Sequence, residues 1–143
     1  MNSPEPRYFI LVDDAETGKY SLKNNLWGFS EQVRGYWEAS RPGDNLAFYV
    51  TLPTKKIVGF GKIKRKFIDS KVTFPDEIFL GRPIWIYIYE YLKTFTVEEW
   101  NNGIRPPPGR LLNAGRKLID RTTFYKLTTK AKRKWKLWFL DKF

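Results

Sequence analysis

The chain contains no cysteine and no histidine. Together these absences remove disulfides, thiolate nucleophiles, zinc sites built on Cys and His, and the Ser-His-Asp triad. Nor is there an apolar run approaching the roughly 18 to 20 residues of a membrane-spanning helix. The start, Met1-Asn2-Ser3-Pro4-Glu5-Pro6, lacks the cationic and apolar regions of a signal peptide. The expectation is a soluble, cytoplasmic protein with no membrane partner, no metal, no cofactor and no enzymatic activity of its own.

Aromatic side chains and positive charge are plentiful. Among 143 residues, 42% are hydrophobic and 17% aromatic, enough for one packed domain despite the 29% that are charged. Core packing accounts for most of the Phe and Tyr, but need not account for all six Trp. The net charge of +11 is unevenly spread: residues 105–136 hold eleven Lys or Arg against one acid, Asp120. Such clustering suits a polyanion, because neutralising phosphates releases condensed counterions. A solvated basic face is the plain alternative. An anionic membrane ranks third, since no lipid anchor accompanies the charge.

Along the chain, residues 7–12 read as a buried strand and residues 16–25 as a loop or frayed helical turn. Residues 26–30 precede a helix over 30–39, capped by Ser30, and turn chemistry at 40–44. Residues 46–51 and 56–67 form a hairpin, whose Gly59 and Gly61 mark a bulge or a close backbone approach. A loop at 69–82 carries Phe74 and Phe79, and 83–91 is the clearest strand. A short helix begins at Thr96, three prolines extend 101–109, and 111–127 reads as a turn and one or two helical segments. Residues 128–143 form a basic, aromatic extension, either docked or the start of a linker. The order implies an α+β domain, with a small curved sheet or open barrel flanked by short helices.

The strand at Tyr8 to Val12, then Leu26-Trp27-Gly28-Phe29-Ser30, Pro42-Gly43-Asp44, Leu46-Ala47-Phe48-Tyr49-Val50 and Ile57-Val58-Gly59-Phe60-Gly61-Lys62-Ile63 together resemble the EVE domain. They are equally similar to its relative, the YTH domain, both of the PUA-like fold, over residues 7–127. The resemblance implies a pseudo-barrel with a pocket for a modified base. Trp27, flanked by Gly28 and Phe29, would form one wall of an aromatic cage, with Phe74 or Phe79 as the second. Where the family reads the adenine edge with Asn or Asp, this chain has Thr17, with Glu16 and Asp14 nearby. Residues 111–117, with Asn113, Arg116 and Lys117, resemble the part of YTH domains that grips phosphates. Lys64, Arg65, Lys66, Arg105, Arg110 and Arg121 complete the expected contacts to the nucleic-acid backbone.

EVE domains also stand at the front of McrBC-type modification-dependent restriction proteins. The implied function is therefore a non-catalytic module that flips and reads a modified base, N6-methyladenine first and modified cytosine second. Its partner would be modified DNA before RNA, in a defence system beside an NTPase and a nuclease subunit. Flipping costs a few kcal/mol, and stacking on an aromatic wall returns about 1 to 3 kcal/mol per base. An RNA-binding PUA-like module without modification preference is the alternative. A Mg²⁺-dependent nuclease built on Asp13, Asp14 and Glu16 is disfavoured, because no further carboxylates can be placed beside them.

Overall fold

The apolar run Tyr8–Asp13 forms the first strand of a six-stranded sheet in the computed structural model. The structure describes residues 5–30, 34–51, 53–68, 84–94, 97–109 and 115–135, with backbone only at 30, 84–94, 97–99 and 115. Strand β1 (Tyr8–Asp13) leads through helix α1 (Ala15–Asn24), strand β2 (Leu26–Ser30) and helix α2 (Arg34–Ala39) to strand β3 (Asn45–Val50). Strands β4 (Lys56–Ile68) and β5 (Ile84–Thr94) follow, then a 3₁₀ segment (Val97–Asn102), strand β6 (Gly115–Ile119) and helix α3 (Arg121–Trp135).

The strand order is β2-β5-β4-β3-β1-β6, so β2 and β6 are edges and the sheet is open. Only β1 and β3 pair in parallel; the other neighbours are antiparallel. A parallel pair needs a long crossover. Here the crossover carries α1, β2 and α2, and it delivers β2 to the far edge of the sheet. Register shifts bend the ladder at Phe48/Tyr49, Phe60/Gly61 and Ile63/Arg65. Gly59 and Gly61 lie beside the first two shifts, which gives them the bulge role.

Alternation along the strands sends side chains to two cores. Phe9, Leu11, Leu46, Phe48 and Val50 share one cluster with Leu22 of α1, Trp27 and Phe29 of β2, and Trp100; Tyr36 and Trp37 of α2 pack against it. Ile10, Val12, Ala47 and Tyr49 join Ile119 of β6 and Phe124, Leu127 and Ala131 of α3 in the other. Both faces are covered, which is why β1 and β3 read as continuous apolar runs.

The exit from α2 is fixed by a buried carboxylate. Asp44, 1% exposed, accepts hydrogen bonds from Arg7 N (3.2 Å), Arg7 Nη2 (3.0 Å) and Arg41 N (3.0 Å). Gly43, at φ +91°, donates its N–H to Ile63 O at 2.8 Å. This knot ties the starts of β1 and β3 to β4.

Three sequence expectations change. Residues 16–25 form α1, not a loop: the Asp14 carboxylate accepts from Thr17 N at 2.7 Å, and Asn25 closes the helix at φ 56°. Capping at both ends outweighs the polar composition. Within 111–127, residues Gly115–Ile119 form a strand, antiparallel to β1 with Tyr8 opposite Ile119. Its stabilising partner is about a hundred residues away in sequence, out of reach of local signals. The helix expected over 30–39 is described only over Arg34–Ala39, and residues 31–33 lie outside the described residues.

Asp120 opens α3, accepting from Thr123 N at 2.6 Å. The helix then runs through Leu127 and Thr128 without interruption to Trp135, with Thr128 and Ala131 buried. Residues 128–135 are thus part of the packed domain. Among the described residues, no helix is long and apolar enough to cross a membrane.

Candidate nucleic-acid interface

Trp27 occupies the middle of edge strand β2, opposite Tyr87. Its ring is 3% exposed and stacked on Phe48, with centroids 5.5 Å apart and planes 23° from parallel. Two residues on, and so on the same face, buried Phe29 meets Tyr36 of α2 edge-on at 6.2 Å. Gly28 between them is half-buried and pairs with Ile86.

Cations stack on further rings of this face, buried Phe9 and half-buried Tyr36 and Trp37. Arg116 of β6 lies over the Phe9 ring at 4.2 Å and the Tyr36 ring at 5.3 Å, while Arg7 lies over Phe9 at 5.2 Å. Lys66 sits 4.3 Å over Trp37 and donates to Trp37 O (2.8 Å) and Glu38 O (3.0 Å) at the end of α2. Burial lowers the Lys66 pKa below its ordinary value, opposed by the Glu38 charge. Guanidinium planes and aromatic rings both accept a stacked base, and the same cations suit phosphates. Around α2 the fold therefore gathers Arg7, Lys66 and Arg116 with Phe9, Tyr36 and Trp37, next to Trp27 and Phe29.

Thr17 and Glu16 lie in the first turn of α1, the helix whose Leu22 shares a core with Trp27. Thr17 N and Oγ1 both donate to the Asp14 carboxylate, at 2.7 and 3.3 Å, so Thr17 serves the helix cap, while Glu16 is exposed beside it. The Asp13 carboxyl is withdrawn from water although the residue surface is partly open. Burial, then the Asp14 charge, raises its pKa well above the ordinary 3.8, against hydrogen bonds from the Asp14 N–H and Ser21. Among the described residues, no three acidic side chains converge as a metal site would need.

The expected backbone contacts divide between surfaces. Lys66 and Arg116 join the aromatic layer. Lys64 and Arg65 are exposed on β4, the latter 5.8 Å from the Phe67 ring, and Arg105 is exposed in the proline segment. Lys117 pairs with Ile10, which places it on the α3 side of the sheet. Arg121, exposed at the start of α3, lies 5.2 Å over Tyr125. Phe74, Phe79, Arg110 and Asn113 lie outside the described residues. Sequence reasoning missed Arg7, Phe9 and Tyr36. Their approach depends on α2 and β6 folding back over β1, and only the position of Arg7 at the head of a strand hinted at it.

An open mixed sheet with this order, short helices on both faces and an aromatic layer on one face define a PUA-like α+β fold, shared with YTH and ASCH domains. A YTH domain from Zygosaccharomyces rouxii, solved with N6-methyladenosine RNA, superposes with a TM-score of 0.58 at 15% identity, covering 92% of this chain and 91% of its own. A Toxoplasma YTH domain, solved with a 7-mer m6A-modified RNA, gives 0.58 at 19% identity, covering 89% and 91%. The ASCH protein of Zymomonas mobilis gives 0.53 at 9% identity, covering 87% and 96%. No protein-family model and no curated protein matches the sequence.

Proposed function

We propose that this chain is a non-catalytic nucleic-acid-binding module that receives a modified base, N6-methyladenine before modified cytosine, against the aromatic layer around Trp27. The observation that carries this reading is Arg116 stacked over Phe9 and Tyr36, with Lys66 on Trp37, on rings that pack in or against the core that holds Trp27. The layer supplies rings for stacking and the rim supplies charge for the flanking phosphates. A methyl group adds apolar contact in a desolvated pocket, and a discrimination of about 1 to 3 kcal/mol is expected from it. With Trp27 at 3% exposure, a base meets its ring only when a neighbouring group withdraws. Binding is then coupled to a local rearrangement.

The sequence resemblance favours DNA as the strand. RNA is the second reading, favoured by the RNA bound to the YTH domains of like fold. A matched titration decides: one sequence as DNA and as RNA, each with and without N6-methyladenine. A preference for the methylated strand of roughly fivefold or more supports the base-reading function, and the preferred sugar assigns the strand. Equal affinity for methylated and unmethylated forms of both strands overturns it, and tight unmodified RNA binding then marks a plain RNA-binding module. The expected setting, a defence system with an NTPase and a nuclease, is tested by copurification of such subunits with the chain.

A further inference from the structure

We propose that the exposed face of α3 is a second nucleic-acid surface, gripping sugar-phosphate backbone on the side of the sheet opposite the aromatic layer. This goes beyond base reading and stands without it.

Helix α3 turns Phe124, Leu127, Thr128 and Ala131 into the core, at spacings of three and four that define one stripe. Opposite that stripe, Thr122, Tyr125, Lys126, Thr129, Lys130 and Arg133 line one open, shallow surface. Over these residues the helix axis extends about 16 Å. Duplex nucleic acid presents one negative charge per roughly 1.7 Å of its axis, so this face can meet several phosphates. The Thr hydroxyls and the cationic groups are all donors to phosphate oxygens.

The helix carries six cations, Arg121, Lys126, Lys130, Lys132, Arg133 and Lys134, and no acid. Like charges at i,i+4, such as Lys126 and Lys130, destabilise a helix by about 0.2 to 0.5 kcal/mol per pair. Charges in the last turn complement the helix dipole, but Arg121, Lys126 and Lys130 lie outside it. Asp120, just before the helix, attracts Lys126 and is itself held by the Thr123 N–H. A bound polyanion relieves the remaining repulsion.

The face is also rigidly presented. Lys134 Nζ donates to Gly103 O at 3.0 Å and Trp135 Nε1 to Asn102 O at 2.8 Å, while Phe124 packs between Tyr8 (5.0 Å) and Phe60 (5.8 Å). A membrane is the poorer occupant. An interfacial helix turns its apolar stripe to lipid, whereas that of α3 is spent on the core. The large exposed apolar residues among those described, Ile68 and Leu118, lie elsewhere. Between the two surfaces runs edge strand β6, with Arg116 on the aromatic side and Lys117 on the α3 side. It offers cations to a nucleic acid wrapping the edge.

The test is the triple variant K126Q/K130Q/R133Q, in which every changed side chain is exposed. Affinity for an unmodified duplex of roughly 20 base pairs is measured by anisotropy across a salt series, with thermal melts confirming an unchanged fold. The proposal expects the slope of log K against log salt to fall by about 2 to 3, since each phosphate contact contributes about 0.9. The methylated-to-unmethylated affinity ratio should not change. An unchanged slope and affinity overturns the α3 surface. So does loss of binding to phosphatidylserine vesicles with duplex binding intact. Absence of any methyl preference in the wild type would sink base reading alone and leave the slope experiment valid.

Discussion

Trp27 stacks on Phe48 across the sheet face, centroids 5.5 Å apart, and both rings lie inside the core that joins α1, α2 and β2 to the sheet. The residue proposed as a base wall thus also has a structural load. Truncating a buried Trp costs about 3 to 5 kcal/mol. Trp27→Ala should therefore lose stability by that order in urea denaturation, whatever it does to binding. Trp27→Phe keeps a ring on Phe48 and shrinks the wall. It should lose clearly less stability than Trp27→Ala and weaken methylated-strand binding by about fivefold to tenfold. A Trp27→Phe variant that binds methylated strands as wild type does would remove Trp27 from the site.

Two glycines answer oppositely to alanine. A Cβ on Gly18 would meet Val50 Cγ2 at 3.7 Å and Trp100 at 3.8 Å, ordinary contacts inside α1. Gly18→Ala should raise stability by up to about 1 kcal/mol through helix propensity. A Cβ on Gly103 would fall 2.5 Å from Ile57 O and 2.8 Å from Lys56 Cβ. It would force apart the bridge that pairs Ile104 with Ile57, so Gly103→Ala should lower the melting temperature clearly. Comparing the two melts checks both.

The pKa of Asp13 is raised by burial in the folded chain, so the unfolded chain ionises first as pH rises. Its contribution to stability is fully present below the ordinary 3.8 and is lost as pH climbs through the raised folded value. Asp13→Asn removes that loss while keeping an acceptor for the Asp14 N–H, 3.0 Å away. The variant should match wild type near pH 3 and exceed it at pH 7. Parallel stability curves across that range would contradict the assignment.

Asp44→Ala removes the acceptor shared by Arg7 and Arg41 N and leaves the Arg7 guanidinium half its partners. Because Arg7 keeps some contact with water, the cost should be about 2 to 3 kcal/mol, below that of a fully buried pair. Weakened binding should accompany it, as Arg7 also rests on Phe9. Denaturant midpoints report the first effect and anisotropy the second.

Much of this was legible in local pattern. The continuous apolar runs of β1 and β3, the glycines of β4 and the turn at Pro42-Gly43 each describe a nearest-neighbour preference, and the structure places strands and bulges there. Helix α1 was missed because its residues are polar, although Asp14 and Thr17 carried a capping signal. Strand β6 was missed for a different reason. Leu118 is 64% exposed at an edge, and nothing within five residues distinguishes that strand from a turn.

Composition alone removed cysteine and histidine chemistry and put the positive charge in the last third of the chain, since both follow from counting side chains. Sequence order likewise singled out Trp27 and its neighbours. Whether a ring lies open or stacked on Phe48, and whether Arg116 and Lys117 serve the same surface, are matters of tertiary structure. Adjacent residues on a strand point to opposite faces, and contacts such as Arg116 on Phe9 and Tyr36 join segments that only the folded sheet brings within 6 Å.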